Sequence, residues 1–335
     1  MPLDDLLSHL KQTAALSQVS MLINWDQEAM MPPKGGAQRA EQAGALAAVI
    51  HARNGDPRIP EWIAAADPQN DADRVNIDEA QRAYDRATRI PARLAEETAR
   101  AASEGHQIWA KAREASDFAA FAPALKRNIE LRREEAACLA DGDPYDALLD
   151  QFEPGAKAAE LTPLLEGMRP RLTALRQEIA EKTAPKRLGG NYPAGRQLAL
   201  ARKIAKRIGY DMDAGRIDTV VHPFCSGSGS DVRITTRTDE ADPLNCLYST
   251  IHEVGHALYN QGLTDAFLPA ADYVSMGVHE SQSRFWENQI GRSRPFMDYL
   301  YPTMKDAFGA FGVPDADALF AVVSRVESGF IRTEA

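Results

Sequence analysis

The stretch LNCLYSTIHEVGHALYNQG, Leu244 to Gly262, decides how this chain is read. Neither proline nor glycine interrupts Leu247 to Val254, and the composition favours helix. On a helix, residues four apart share a face, so His252 and His256 direct both imidazoles at one metal ion, with Glu253 beside them. That arrangement suits zinc. Gly255 lies inside the motif, where a residue without a side chain lets another backbone or a substrate approach closely.

A purely structural zinc site usually closes all four coordination positions with cysteine and histidine. Cys138, Cys225 and Cys246 are too far apart for that and lack any CxxC spacing, which also argues against a disulfide framework and for a reducing, cytoplasmic setting. A catalytic site needs a third protein ligand and a fourth position for water. The HExxHxxGxxH pattern is excluded because Tyr259 occupies its glycine position and Gly262 its last histidine position. The third ligand therefore comes from a distant segment, and HESQSRFWEN, His279 to Asn288, offers His279 and Glu280. Glu280 is favoured, since two histidines and one glutamate form the ligand set of thermolysin-like peptidases. Zinc there would acidify a water and polarise a peptide carbonyl, and Glu253 would move the water proton to the leaving amine.

Working outward, helical periodicity runs from Leu3 to about Leu22 and through alanine-rich stretches at 37 to 52 and 75 to 141. Breakers at Met31-Pro32-Pro33, Asp56-Pro57, Asp67-Pro68, Asp143-Pro144, Glu153-Pro154-Gly155 and Lys186 to Gly190 divide this region into helical hairpins. Near residue 216 the texture changes: RIDTVVHPF and DVRITTR are β-branched and partly alternating, with the Gly/Ser run Cys225 to Ser230 between them. The expectation is a mainly α protein, with 1–210 helical and 211–335 holding a small antiparallel sheet and the zinc-binding helices. A single large body is expected, not two separable domains.

With 335 residues, 44% of them hydrophobic, the chain has ample material for a large core. Its net charge of −10 opposes nucleic-acid binding. The N-terminus lacks the basic start and apolar run of a secretory signal, and no apolar segment is long enough to span a membrane.

The ordered motifs HPF (His222 to Phe224), DVRIT (Asp231 to Thr235), HEVGH, HESQSR (His279 to Arg284) and IRTEA (Ile331 to Ala335) resemble those of the Taq-type metallocarboxypeptidases, family thirty-two of the metallopeptidases. INWDQEAMMPPKG and DALLDQFEPG are similar to family sequences as well, so the resemblance runs over nearly the whole chain. It implies a thermolysin-like zinc peptidase of neurolysin-like architecture, with a large helical body, a deep groove and a small sheet beside the HExxH helix. It further implies a homodimer that releases single amino acids from peptides with a free C-terminus, using Zn2+ or Co2+. Carried over by motif, the ligands are His252, His256 and Glu280, and Glu253 is the catalytic carboxylate. Family members continue beyond the IR-type motif with a helical segment containing GxxQDxHW, so the 335 residues are expected to form an incomplete domain with exposed apolar surface.

The remaining candidates have two readings each. DVRIT is an extended edge suited to strand addition by a peptide. Asp231 either orients a zinc-bound imidazole or pairs structurally with Arg233. His222 either meets the substrate or is a satisfied core histidine. An exopeptidase needs a cation for the free carboxylate, and Arg332 is the candidate, with Arg237, Arg284 and Arg292 as alternatives. Trp25 and Asp26 are assigned to helix packing, and LKRNIELRREEA, 125 to 136, to a solvated helix face. Competing functions are an internally cutting zinc oligopeptidase and a zinc-binding remnant without turnover.

Overall fold

The computed structural model describes residues 2–263 and 267–327. The protein is mainly helical with one small sheet, and its chain folds into two compact units. The first unit comprises residues 1–155 with the short pieces 227–229 and 263–273; the second comprises 156–226, 230–262 and 274–335.

The first unit is built from α1 (Pro2–Ala29), α2 (Gly36–Asn54), α3 (Arg58–Ala64), α4 (Asp71–Arg89), α5 (Ala92–Glu114), α6 (Phe118–Leu139) and α7 (Pro144–Leu149). The proline breakers fall between helices or at their first turns, where the missing N–H costs nothing. Asn70, Asp117 and Asp143 accept from backbone N–H groups at the starts of α4, α6 and α7. Leu6 and Leu10 of α1 meet Ile59 and Ala80 in a small core. Asp26 ties α1 to α2 through Arg39 at 2.5 Å, while Trp25 is buried beside it. One part of the charge run on α6 departs from a solvated face: Glu135 is buried, held by Arg86 and by Arg132 at 2.6 Å. A charge taken out of water needs such partners.

The second unit contains α8 (Ala158–Ala180), α9 (Ala194–Ile208), β1 (Gly215–Thr219), the first two residues of β2 (Cys225–Ser228), β3 (Asp231–Thr236), α10 (Pro243–Gln261), α11 (Met276–Arg284), α12 (Arg294–Phe308) and α13 (Ala316–Val323). A π-helical turn, Phe285–Ile290, continues α11. The sheet order is β1-β3-β2, and β1 pairs with β3 in parallel, Gly215 opposite Val232 and Thr219 opposite Thr236. The expected all-antiparallel sheet is therefore corrected. The Gly/Ser run, read as a separator, contributes a strand of its own, so β3 takes the central place and β1 joins it from the far side. Glycine and serine have little strand propensity, which hides β2 from the sequence.

α10 is buried almost throughout: every residue from Cys246 to Ala257 is buried. Asp242 caps its start by accepting from Leu244 N, and Pro243 occupies the first turn. Its apolar residues serve two cores. Leu247, Tyr248 and Ile251 pack with Leu200, Ile204, Met297, Leu300 and Leu319, whereas Val254 and Ala257 pack with Ile217, Val232 and Ile234. β3 is pinned to the helix by Thr236, whose hydroxyl donates to Cys246 O at 3.2 Å. Tyr210 locks the other side of the sheet, its hydroxyl lying 2.6 Å from Val232 O and 3.0 Å from Arg216 O. Tyr210→Phe is expected to cost about 1–2 kcal/mol, because a buried carbonyl loses its donor. Urea unfolding with an unchanged slope checks it; a variant as stable as the parent would contradict this role.

Candidate metal centre

The burial of α10 makes its three polar motif residues costly unless they are used. His252 and Glu253 are each 2% exposed and His256 is 7% exposed. Burial first, then the neighbouring rings of His279 and His252, pushes the His256 imidazole down to about 3, so it is neutral at physiological pH. Neutral imidazole is the form that ligates a metal.

Glu280 reaches the two histidines from α11, and glycine makes that approach workable. A Cβ on Gly255 would lie 2.5 Å from Ser283 Cα and 2.8 Å from Gln282 O, so α11 crosses α10 with its backbone against the bare glycine. Ser283, fully buried at that crossing, donates to the Glu280 carboxylate at 2.9 Å. The carboxylate is half-buried, and burial alone would raise its pKa; the Ser283 hydrogen bond and the nearby His256, His252 and Arg284 together hold it below the usual value.

The three side chains converge on one point. His252 Nε2 and His256 Nε2 are 3.2 Å apart, and the Glu280 oxygens stand 3.5 Å from the first and 3.7 Å from the second. Ligands about 2.0–2.1 Å from a tetrahedral zinc would stand roughly 3.3 Å from one another. The donor set and its spacing therefore fit such an ion, and among the described residues this is the group of His, Cys, Asp and Glu side chains that could hold one.

Glu287 joins the centre without having been singled out by any motif. It is buried in the π-helical turn, and its Oε2 lies 2.9 Å from His252 Nδ1. That contact leaves His252 Nε2 for the centre and fixes the ring. Burial would raise Glu287, but its bond to His252 and the charges of Arg284, His252 and Arg292 hold it below the ordinary carboxylate range. Arg284 donates to it at 2.8 Å and Arg292 at 3.2 Å. Arg292 is itself locked, donating to Val323 O at 2.8 Å and stacked 4.0 Å over the Tyr248 ring. Glu287 lies seven residues after Glu280, two α-helical turns. That repeat within HESQSRFWE is the available signal in the sequence. The wider i→i+5 turn that presents Glu287, closed by Gly291 N to Trp286 O at 2.7 Å, is not legible there. Glu287→Gln is expected to weaken metal affinity about 10–100-fold. Competition against a chromogenic chelator measures it, and unchanged affinity would remove Glu287 from the centre.

The other candidates are placed as follows. His279 stacks on His256 with ring centroids 4.4 Å apart, and its Nε2 is 2.9 Å from Asn260 Oδ1, so it borders the ligand group without joining it. Asp231 is exposed and makes a two-pronged pair with Arg233, 2.7 and 2.9 Å, within β3. His222 is half-buried in the loop before β2. Arg237 donates from Nε to Asn245 Oδ1 at 3.0 Å and lines a cavity of about 520 Å³, with Ser249, Tyr248, Pro223 and Arg292. Burial, and after it the charge of Glu253, raises the Cys225 thiol. Arg332 lies outside the described residues.

The model of the carboxypeptidase Taq (M32) metallopeptidase family matches residues 5–335. Thermostable carboxypeptidase 1 of Thermus thermophilus is 42% identical over 99% of this chain and 69% of its own length. Carboxypeptidase 1 of Bacillus subtilis is 32% identical over 97% of this chain and 68% of its own. Among solved structures, Trypanosoma cruzi metallocarboxypeptidase 1 superposes with a TM-score of 0.88 at 33% identity, covering 100% of this chain and 70% of that one. The M32 carboxypeptidase of Deinococcus radiodurans R1 gives 0.87 at 34% identity, covering 100% and 69%.

Proposed function

Because this chain belongs to the carboxypeptidase Taq (M32) metallopeptidase family, we propose that it removes single residues from the C-termini of peptides with one divalent metal, Zn2+, at His252, His256 and Glu280. The observation that carries this reading is the triangle of two imidazole nitrogens and one carboxylate, its edges close to those of a tetrahedral zinc site. When bound, the metal supplies a Lewis acid for the scissile carbonyl and lowers the pKa of water. Cobalt satisfies the same donors.

The chain's own residues divide the remaining work. Glu287 keeps His252 oriented, and Ser283 does the same for Glu280. Glu253, one residue beyond His252, accepts a proton from the attacking water and returns it to the leaving amine. The substrate's free carboxylate calls for an arginine. Arg237, which lines the cavity beside Ser249 and Tyr248, is the described alternative to Arg332. DVRIT, expected as an open edge for the peptide backbone, is instead the central strand between β1 and β2, so strand addition there is set aside. The family model spans both compact units, which supports one peptidase domain. A cytoplasmic homodimer completes the reading. The lack of any described helix long and apolar enough to cross a membrane is compatible with it.

The test uses two peptides of one sequence, one with a free and one with an amidated C-terminus, and the zinc-loaded chain. Free amino acid should appear from the first and not from the second. Equal cleavage of both would replace this reading with an internally cutting oligopeptidase, and bound zinc without cleavage of either would leave a non-catalytic remnant.

A further inference from the structure

The two helices that carry the ligands are joined by a segment that folds with the other unit. α10 and α11 belong to the second unit, but residues 263–273 between them cluster with the first. The hold on this connector is specific. Asn76 on α4 is 2% exposed, and its Oδ1 accepts from Ala270 N at 2.8 Å. Asparagine is a mediocre helix former, and a buried amide keeps its place only where it is used. Leu268 packs onto the core of Leu6, Leu10, Ile59 and Ala80. A 3-10 turn, Pro269–Ala271, runs through these two holds, closed by Ala271 N to Leu268 O and Asp272 N to Pro269 O, both 3.0 Å. The anchored piece is therefore a hydrogen-bonded turn and not a slack linker.

From that turn to Glu280 the path is short. Ser275, five residues after Ala270 and 3% exposed, starts α11: its hydroxyl accepts from Val278 N at 3.2 Å and its carbonyl from His279 N at 3.0 Å. Glu280 follows five residues later. α11 meets α10 where the Ser283 backbone crosses Gly255, and one crossing point fixes the distance between two helices but not their angle. Glu280 lies three residues from that point, about 4.5 Å along the helix axis. A tilt of about 10° over that arm moves it by roughly 0.8 Å, and a displacement near 1 Å is costly to a reactive site. The connector is the second fixed point that sets the angle.

We propose, on the premise that His252, His256 and Glu280 hold zinc, that Asn76 is a positioning residue of the metal centre. By holding Ala270 it fixes the start of α11, and with it the angle at which Glu280 meets the two histidines. Seating of the connector on α4 and binding of the ion are then linked equilibria, and linkage is reciprocal. Whatever factor of zinc affinity the Asn76 contact supplies, bound zinc returns as tighter seating of the connector.

Zinc affinity of the full chain, measured by chelator competition, should fall about tenfold in Asn76→Ala and stay within about threefold of the parent in Asn76→Asp, which keeps an acceptor for Ala270 N. Leu131→Val truncates a buried residue of α6 in the same unit, outside the core that seats Leu268. It should lower the urea midpoint as Asn76→Ala does and leave zinc affinity unchanged. In the parent, the Ala270 amide should exchange about tenfold more slowly with zinc bound than without, a difference absent from Asn76→Ala. Parental zinc affinity in Asn76→Ala would overturn the proposal, and loss of zinc from Glu280→Ala in the same assay would leave the metal reading standing. An equal loss in Leu131→Val would overturn it as well, since the effect would then be a general loosening of the unit. A parent chain that binds no zinc would remove the metal reading and the role of Asn76 with it.

Discussion

Replacing Glu253 by glutamine is expected to lower the release of C-terminal amino acids on the order of a thousandfold while the zinc content stays that of the parent. The reasoning starts from burial. A carboxylate 2% exposed on a helix that is otherwise core costs free energy to place there, and no ligand role is open to it, because His252, His256 and Glu280 already converge without it. Glutamine keeps the shape and the hydrogen-bonding capacity but cannot take a proton, and positioned proton transfer contributes about 10²–10⁴-fold to rate. Turnover and metal content should therefore separate. If both fell together, Glu253 would be holding the site in shape; if neither fell, the proton would be moved by another group.

Gly255→Ala should damage the same centre by a different route. The new methyl would sit 2.5 Å from Ser283 Cα and 2.8 Å from Gln282 O, and these are backbone atoms that cannot rotate away. α11 must then shift off α10, which overpacks a core that is otherwise close-fitting and is expected to cost about 1–3 kcal/mol. The shift also carries Glu280 away from the histidines, and a displacement near 1 Å can cost roughly 10²-fold in rate. Thermal unfolding and zinc affinity should both fall. A variant with lowered stability but parental zinc affinity would mean that Glu280 is not fixed by this crossing.

The contrast between these two sites marks what can be read from the sequence. HEVGH is legible because two imidazoles and a carboxylate at helical spacing have few other uses, and Gly255 is legible as a place of close approach. The identity of the approaching backbone, Ser283, is not, since nothing local couples residues so far apart in the chain. Glu287 escapes for a related reason: its contact with His252 depends on a π-helical turn, and only its spacing from Glu280 hints at it. The helices are legible from periodicity and from their proline and aspartate boundaries. The sheet is legible in β1 and β3, whose β-branched residues alternate, but its order is not, because β2 is made of Cys225, Ser226, Gly227 and Ser228 and is a strand through pairing alone. In the run 125 to 136, Glu135 looks like any surface glutamate, and its burial depends on Arg86 from a distant helix.

The reading of this protein as a metallocarboxypeptidase depends on a glutamate from α11 completing a metal site begun by two histidines on α10. Zinc titration of the chain and of its Glu280→Ala variant, read by chelator competition with helix content followed in parallel, puts that to the test. One tightly held zinc per chain is expected, lost or weakened at least about a hundredfold in the variant while helix content is kept. Parental zinc affinity in Glu280→Ala would contradict it.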